Sequence, residues 1–427
     1  MRFVLPLLTC LTLVVPAFSG ALELQSPSSP LDDPRRPGGD YLTHDPAWTG
    51  PAGLLYAIPP TNALGQAWNT SGAALLRANW LANPTPGKAL AGPDYDAPTC
   101  GRCHLELEPT AAARTSEPAV VLRPALMADR LRYGPQLNTL NSNGDRPEAV
   151  ASVHWETHWF TFEDGTRRAL RRPQVTVVTV DGRELPATRR MAPLLFGWGL
   201  LEQLPPQTLA HFHDPDDRNG DGISGQRTGS ETEPGIFGWK GAHSTLRGQV
   251  AAALAHDMGV TSAAVCPGTG CTPELASEDL DRMVAWLASV GVPARRPGAS
   301  QRGADLFGQT GCGGCHISAL RTAPGSDSRL AEQTVWAYTD LALHDMGEGL
   351  ADPGDAPDRR EWRTAPLWSV GLAEQLLPQR GFLHDGRARD LEEAILWHGG
   401  EALAARDRFA ALSARERAEL LAYLRSL

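Results

Sequence analysis

Apolar residues recur at helical spacing in several stretches of the chain. Residues 61–82 and 277–290 show this spacing, and the alanine and leucine content of residues 245–258 predicts a buried helix there. We expect the helix at 277–290 to begin at an N-cap, Ser277. A shorter amphipathic run ends at Gly308, a residue that commonly closes helices. These stretches predict a chain rich in helices.

The chain between 118 and 186 shows a different period. Its residues alternate between apolar and polar, and Asp-Gly pairs at Asp164 and Asp181 interrupt the alternation. We therefore predict a small β-meander. A last helix is predicted to start at Ser413, where Glu416 completes a capping box.

Two short strings carry the chemistry, and both read Cys-x-x-Cys-His. This is the pattern by which a c-type haem is attached: the thiols bond to the haem vinyl groups, and the histidine ligates the iron. A zinc knuckle, a redox dithiol and a disulfide are the alternatives. Zinc would need two Cys-x-x-Cys pairs without obligatory histidines, and a redox dithiol would need a βαβ context. We predict two covalently bound haem c groups. The residues that hold them are Cys100, Cys103, His104, Cys312, Cys315 and His316.

The N-terminus and the remaining cysteines indicate export. Residues 1–21 combine Arg2, an apolar run and small residues, as in a secretory signal peptide. No other stretch approaches the length of a membrane span, so we expect a periplasmic protein. Cys266 and Cys271 flank a tight turn, and we predict a small disulfide between them; two free thiols are the alternative.

The charge balance restricts the partners. The chain carries a net charge of −10, which disfavours binding to nucleic acid or to anionic membrane surfaces. An acidic protein of this kind is compatible with a small basic electron donor, such as a cytochrome c or a cupredoxin.

We expect a mainly α protein with two cytochrome c-like haem domains and a small β-rich insertion in the first. Residues 291–300, rich in Pro, Gly and Arg, are the predicted linker. The predicted parts are a signal peptide at 1–21, an extended segment at 22–60, a first haem domain at 61–290 with its β insertion at about 118–186, and a second haem domain at 301–427.

The two halves of the chain repeat one another. Residues 190–205 resemble residues 363–378. The repeat continues into a later helix of each half, where His398 falls at the offset that Ala253 occupies in the first half. An imidazole can ligate iron and a methyl group cannot. His398 could therefore serve as a haem ligand, whereas Ala253 in the first half cannot.

The sequence resembles the bacterial di-haem oxidoreductases described as peroxidases or thiol oxidoreductases. It also resembles, more distantly, the dihaem cytochrome c peroxidases and the methylamine-dehydrogenase maturation enzyme. The matching pieces lie between about 190 and 403, and both haem strings match too. Among these pieces are DPDDRNGDGISG, FGWKGAHSTLRGQV, RTAPLW and HDGRARDLEEAILWHGGEA.

The resemblance implies a ligand for the second haem. In that superfamily a ligand follows the His of an H-D-G motif by 14 residues, and here His384 plus 14 is His398. The alternative is a structural His398, with Met346 or His344 holding the iron.

The resemblance also implies a Gln and a Glu in the open pocket of the first haem. Gln249 matches the Gln, and Asp257 falls two residues before the expected Glu. His256 could move a proton or ligate the iron. Glu202 is another candidate, although its counterpart Glu374 in the other half suggests a structural role.

Three other groups of residues are weaker candidates. Asp217, Asn219 and Asp221 are spaced like the opening of a calcium loop, although Glu231 would have to replace the usual last ligand; an Asx-rich turn is the alternative. His154 or His158 could supply a loop ligand to the first haem, and the alternative is that they are histidines at a sheet edge. Trp198, Trp239 or Trp368 could relay electrons, and the alternative is a role in the core.

Together these features predict an exported, peroxidase-like dihaem c-type oxidoreductase. A small donor would reduce the bis-His second haem, and electrons would pass to the first haem. Its open site would reduce peroxide or oxidise a small-molecule substrate. The alternatives are a non-catalytic electron-transfer cytochrome, in which both irons are saturated, and an oxygen-dependent oxygenase.

Overall fold

The structure is a computed structural model. It describes residues 33–45, 54–58, 63–81, 92–108, 114, 117–266, 270–325 and 327–427. The predicted signal peptide lies outside these ranges. Within them, no helix has both the length and the apolar character needed to cross a membrane.

The helices of this part of the chain are mostly short. They are α1 (Gly39–Leu42), α2 (Ala63–Arg77), α3 (Met127–Tyr133), α4 (Trp198–Glu202), α5 (Pro206–His211), α6 (Leu246–Asp257), α7 (Ser277–Ala288), α8 (Gln301–Gln309), α9 (Val370–Leu376), α10 (Leu391–Leu396), α11 (Leu403–Ala411) and α12 (Ala414–Ser426). Single 3₁₀ turns cover Cys100–Arg102, Leu105–Leu107, Cys312–Gly314 and Gly400–Ala402.

The strands form one larger sheet and several two-stranded ones. They are β1 (Thr43–His44), β2 (Asp94–Tyr95), β3 (Val121–Pro124), β4 (Leu140–Asn141), β5 (Ala149–Thr161), β6 (Arg167–Thr179), β7 (Glu184–Arg190), β8 (Val292–Pro293), β9 (Leu320–Arg321), β10 (Thr334–Val335), β11 (Leu343–Asp345) and β12 (Glu361–Arg363). The larger sheet has the order β3-β7-β6-β5.

The expected mainly α fold with two cytochrome c-like domains is wrong. Only 32% of the structure is helical and 19% is strand, spread over several sheets. The haem strings misled the prediction because each dictates only a single turn of backbone. Most of the chain around them runs in loops and very short strands, which helical periodicity does not reveal.

The predicted β-meander is confirmed. β5 and β6 are antiparallel along their whole length, from Ala149 opposite Thr179 to Thr161 opposite Arg167, and β6 continues into β7. The turns fall at the predicted Asp-Gly pairs. Gly165 has φ 80°, a left-handed conformation that glycine adopts without strain.

Most of the predicted helices are confirmed, with changes at their ends. α2, α6 and α7 lie within the predicted stretches, and the capping box of Ser413 and Glu416 starts α12. The N-cap of α7 is Ala276 rather than Ser277, and α8 continues past Gly308 to Gln309. Local spacing predicts a helix better than it predicts the terminal residue.

The predicted linker begins inside the core. β8 pairs in parallel with β1, and Val292 is fully buried. One hydrophobic cluster also joins Leu246 and Trp286 of the first half to Trp368 of the second. The predicted disulfide between Cys266 and Cys271 is confirmed.

The β5–β6 hairpin packs against α10 in the second half of the chain. Arg168 forms an ion pair with Asp390, the N-cap of α10. The backbone N–H of Arg171 donates to Glu393 Oε1 at 2.6 Å. The sheet of the first half therefore positions the helix that leads to His398.

Candidate functional site: two cavities with Cys-x-x-Cys-His walls

The second Cys-x-x-Cys-His string forms one wall of a cavity of about 260 Å³. α8 ends just before it, and its cysteines lie on a single 3₁₀ turn. Cys312 and Cys315 are not disulfide-bonded, and both face the cavity together with His316 and His398. Tertiary structure thus brings His398 to the string that precedes it by more than 80 residues.

His316 and His398 are held in the same way. His316 Nδ1 lies 2.9 Å from the carbonyl oxygen of Tyr338, and His398 Nδ1 lies 2.7 Å from that of Ala394. Each ring donates from Nδ1 to a carbonyl, which leaves Nε2 as the basic nitrogen. Burial lowers the pKa of His316 to about 4 and lowers the pKa of His398 too. Both rings are therefore neutral at pH 7, as metal ligation requires.

The two alternative ligands differ in availability. Met346 lines the same cavity. His344 has both ring nitrogens occupied: Nδ1 is 2.8 Å from Glu401 Oε2 and Nε2 is 3.0 Å from Asp340 Oδ2. Burial opposes its charge, but hydrogen bonds to Asp340, Cys315 and Glu401 raise its pKa to about 12. An imidazolium has no free lone pair for iron.

The first string lines a second cavity of about 400 Å³. Cys100 and Cys103 are again not disulfide-bonded, and His104 Nδ1 lies 3.1 Å from the carbonyl oxygen of Pro193. Its Nε2 is thereby left as the basic nitrogen. The two strings thus present the same set of donors, each to its own cavity.

α6 lies along the first cavity with Gln249, Ala253 and His256 in its lining. Ala253 occupies the position that His398 has in the other half, so the helix offers no ligand there. Gln249 Oε1 is buried without a hydrogen-bond partner among the described residues. A buried carbonyl of this kind is available to a bound molecule.

Sequence reasoning missed His243 and Arg123, which also line the first cavity. Burial lowers the pKa of His243, and the charges of His256 and Arg123 lower it further, so the three side chains lie near one another. Arg123 comes from β3 and His243 from the loop before α6. The matching piece FGWKGAHSTLRGQV contains His243 and could have indicated it; no local signal indicated Arg123.

Asp257 lies deep in the wall of the first cavity. Burial raises its pKa to about 6, whereas a hydrogen bond from Gln136 and the nearby His104 act in the opposite direction. Burial also raises the pKa of Asp96 to about 7; Asp96 accepts from Gln136 Nε2 at 2.7 Å. Asp257 therefore lies beside the first Cys-x-x-Cys-His string, in a cluster of buried polar side chains that includes Asp96 and Gln136.

Glu202 lies in neither cavity lining. Its Oε1 accepts the backbone N–H of Leu246 at 2.7 Å, at the start of α6. Glu374 accepts the N–H of Leu391 at 3.0 Å, at the start of α10. This geometry supports a structural role for Glu202 at the start of a helix, as its counterpart Glu374 suggests.

The two cavities share a wall. Trp198 and Trp239 line both of them, and Trp368 lines the second. The Trp239 indole N–H donates to the carbonyl oxygen of Met191 at 2.6 Å, which holds the ring in place. The ring therefore has a fixed orientation between the two cavities.

The remaining candidates lie away from the cavities. Asp217, Asn219 and Asp221 lie in an exposed loop, and their side-chain oxygens accept hydrogen bonds from its own backbone, as in an Asx-rich turn. Calcium binding there stays a prediction. His154 and His158 lie on β5 and are absent from both linings.

The comparison with protein families agrees with this geometry. Residues 267–427 match the model of a family described as "Di-haem oxidoreductase, putative peroxidase". This match covers the C-terminal part of the chain, which contributes the second Cys-x-x-Cys-His string, and it supports the resemblance to di-haem oxidoreductases. No curated protein matches the chain, and no solved structure does.

Both cavities fit the haem that the family description names. Each offers two thiols outside any disulfide beside a histidine whose Nδ1 is already engaged. The lining of the second cavity is predominantly apolar, which suits a porphyrin. At the position that repeats between the two halves, the second cavity has His398 and the first has Ala253.

Proposed function

We propose that this protein is an exported dihaem c-type oxidoreductase. Electrons from a small donor enter at the second cavity and are used in the first, where peroxide is reduced or a small-molecule substrate is oxidised. The observation that carries this proposal is the contrast between His398 and Ala253. At the same offset from the start of α6 and of α10, an alanine lines the first cavity and a histidine lines the second, two residues past the end of α10.

In this proposal Cys312 and Cys315 hold one haem through thioether bonds, with His316 and His398 as its ligands. The other haem is held by the first string, with His104 alone. A bound haem supplies one-electron chemistry and, where a position is open, a binding site for a small oxygen ligand.

The residues around the open position have separate roles. Gln249 offers an unpartnered amide oxygen that orients the incoming hydroxyl group. His243 and His256 have lowered pKa values, so each is neutral at pH 7 and can accept a proton from peroxide. Arg123 adds a positive charge that stabilises negative charge as it develops on oxygen. Asp257 lies beside the string and is less suited to this proton transfer.

Trp198 and Trp239 relay electrons between the two sites in this proposal, since both rings line both cavities. The acidic chain favours a basic donor, such as a small cytochrome c or a cupredoxin. Because residues 1–21 have the pattern of a signal peptide, and c-type attachment also suits an exported protein, we place the protein in the periplasm.

The test is the optical and EPR spectrum of the purified, haem-loaded protein, with a pyridine haemochrome count. We expect two covalent haems per chain, one low-spin and one high-spin, and a spectral change of the high-spin signal on adding cyanide or peroxide. Two low-spin haems whose spectra do not change with cyanide or peroxide would instead identify an electron-transfer cytochrome. Product formation with oxygen and without peroxide would identify an oxygenase.

A further inference from the structure

Two buried arginines face the second cavity without a carboxylate partner. Arg363 and Arg380 are each 7% exposed, and both line this cavity. Arg363 donates to the carbonyl oxygens of Gly238, at 2.8 Å, and Thr364, at 3.3 Å. Arg380 donates to those of Ala192 and Gly381. No described carboxylate lies within ion-pair distance of either guanidinium.

This arrangement is costly unless something else supplies negative charge. A buried cation loses its hydration, and neutral carbonyl dipoles compensate for only part of that loss. Burial lowers the pKa of Arg363 to about 10 and lowers the pKa of Arg380 as well. Asp340 acts against this lowering at Arg363, and Glu106 does so at Arg380, but neither carboxylate forms an ion pair with its arginine. An anionic group in the cavity would supply the closer counter-charge.

Two other arginines beside the cavities have carboxylate partners. Arg406 also lines the second cavity, but it forms an ion pair with Asp407 at 2.7 Å. Arg190 is the counterpart of Arg363 in the repeat and lines the first cavity, where it pairs with Asp352 at 2.6 Å. Arg363 and Arg190 thus occupy the same repeat position, and each lines the cavity of its own half. Only Arg190 of these two has a carboxylate partner.

We propose that Arg363 and Arg380 bind the two propionate carboxylates of the haem held by Cys312 and Cys315. The guanidinium group matches a carboxylate in shape and charge, and two arginines match two propionates. This inference rests on the proposed function, because it requires haem in the second cavity. Beyond the proposed function, it assigns Arg363 and Arg380 to orienting the propionate edge of this haem and to setting its midpoint potential.

The arginines should also favour the reduced state of this haem. A nearby positive charge stabilises the reduced iron, which carries one positive charge fewer than the oxidised iron. Replacing either arginine by a neutral residue should lower the midpoint potential of the low-spin haem. The ion pair of Arg406 and Asp407 is partly exposed to solvent, which screens its charges, so the same replacement there should have little effect.

The experiment compares haem-loaded, full-length Arg363→Gln, Arg380→Gln and Arg406→Gln with the unaltered protein. Haem is counted by pyridine haemochrome, and midpoint potentials are measured by optical redox titration. We expect two haems in every variant and a lower potential of the low-spin haem in the first two only. Two haems with potentials unchanged from those of the unaltered protein would overturn the inference and leave the proposed function intact.

A variant that fails to fold is replaced by Arg363→Lys or Arg380→Lys, which keeps the charge but loses the planar fork. Resonance Raman bands of propionate bending should then shift in the low-spin haem. Identical bands in both lysine variants would overturn the inference. An unaltered protein that carries fewer than two covalent haems would instead refute the proposed function.

Discussion

Glu202 and Glu374 perform the same role in the two halves of the chain. Each accepts the first backbone N–H of a helix through Oε1, at 2.7 Å for α6 and at 3.0 Å for α10. Because equivalent carboxylates hold both helix starts, residues at equal offsets from these starts can be compared: Ala253 lines the first cavity, and His398, two residues past α10, lines the second. The difference between Ala253 and His398 is thus a difference between two sites rather than an accident of alignment.

The first prediction concerns His398→Ala. We expect the low-spin haem to become high-spin and to change its potential, since the variant removes one of its two imidazole ligands. Cyanide binding at the first site should be unaffected, whereas turnover that depends on the electron donor should slow. EPR and optical spectra of the oxidised protein measure this. An unchanged low-spin signal would point to Met346 as the ligand, because His344 is held between Asp340 and Glu401.

The second prediction is the converse change, Ala253→His. A histidine at this position of α6 should ligate the open iron and abolish binding of peroxide and cyanide. Ala253→Val is the matched control, since it adds bulk without a ligand and should reduce ligand binding only partly. Equal ligand affinity in Ala253→His and the unaltered protein, measured by optical titration, would show that this helix position does not face the open side.

The third prediction separates helix capping from catalysis at Glu202. Glu202→Ala should lower the free energy of unfolding by about 1 kcal/mol, the usual loss when an N-terminal helix acceptor is removed. The rate of peroxide turnover per folded molecule should change little, because Glu202 is absent from both cavity linings. Thermal melting measures the loss of stability, and steady-state kinetics measure the rate of peroxide turnover. A large fall in turnover with unaltered stability would show instead that Glu202 takes part in catalysis.

The fourth prediction is a pH dependence of stability at His344. Hydrogen bonds raise its folded-state pKa from 6.5 to about 12. A raised pKa means that the imidazolium stabilises the fold fully below about pH 6.5, and that this stabilisation is lost as pH rises towards 12. We expect the stability difference between the unaltered protein and His344→Leu to be largest near pH 6 and to shrink towards pH 9.

Urea unfolding of both proteins at several pH values measures this difference. Glu401 has a lowered pKa for the same reason, its hydrogen bond to His344 outweighing the opposing effect of burial. Its contribution is lost at acid pH, so measurements should begin at pH 6. A stability difference that is constant between pH 6 and 9 would contradict the charged state of His344.

The sequence by itself determined the features that depend on short spacing. The Cys-x-x-Cys-His strings bring their three donors together through one turn of backbone. The Asp-Gly pairs at Asp164 and Asp181 set the turns of the meander. The capping box at Ser413 and the disulfide at Cys266 involve residues only a few positions apart. In each case neighbouring residues carry all the necessary information, so packing elsewhere does not change the outcome.

Only the tertiary structure decided which distant residues share a cavity. Arg123 reaches the first cavity from a sheet, and Arg363 and Arg380 come from separate loops and strands to the second. Their spacing in the chain carries no signal, since their proximity depends on how the sheet, the short helices and the loops pack together. The same reason explains the mistaken fold class. A haem-binding turn is local, whereas the architecture around it is the sum of long-range contacts that no single motif specifies.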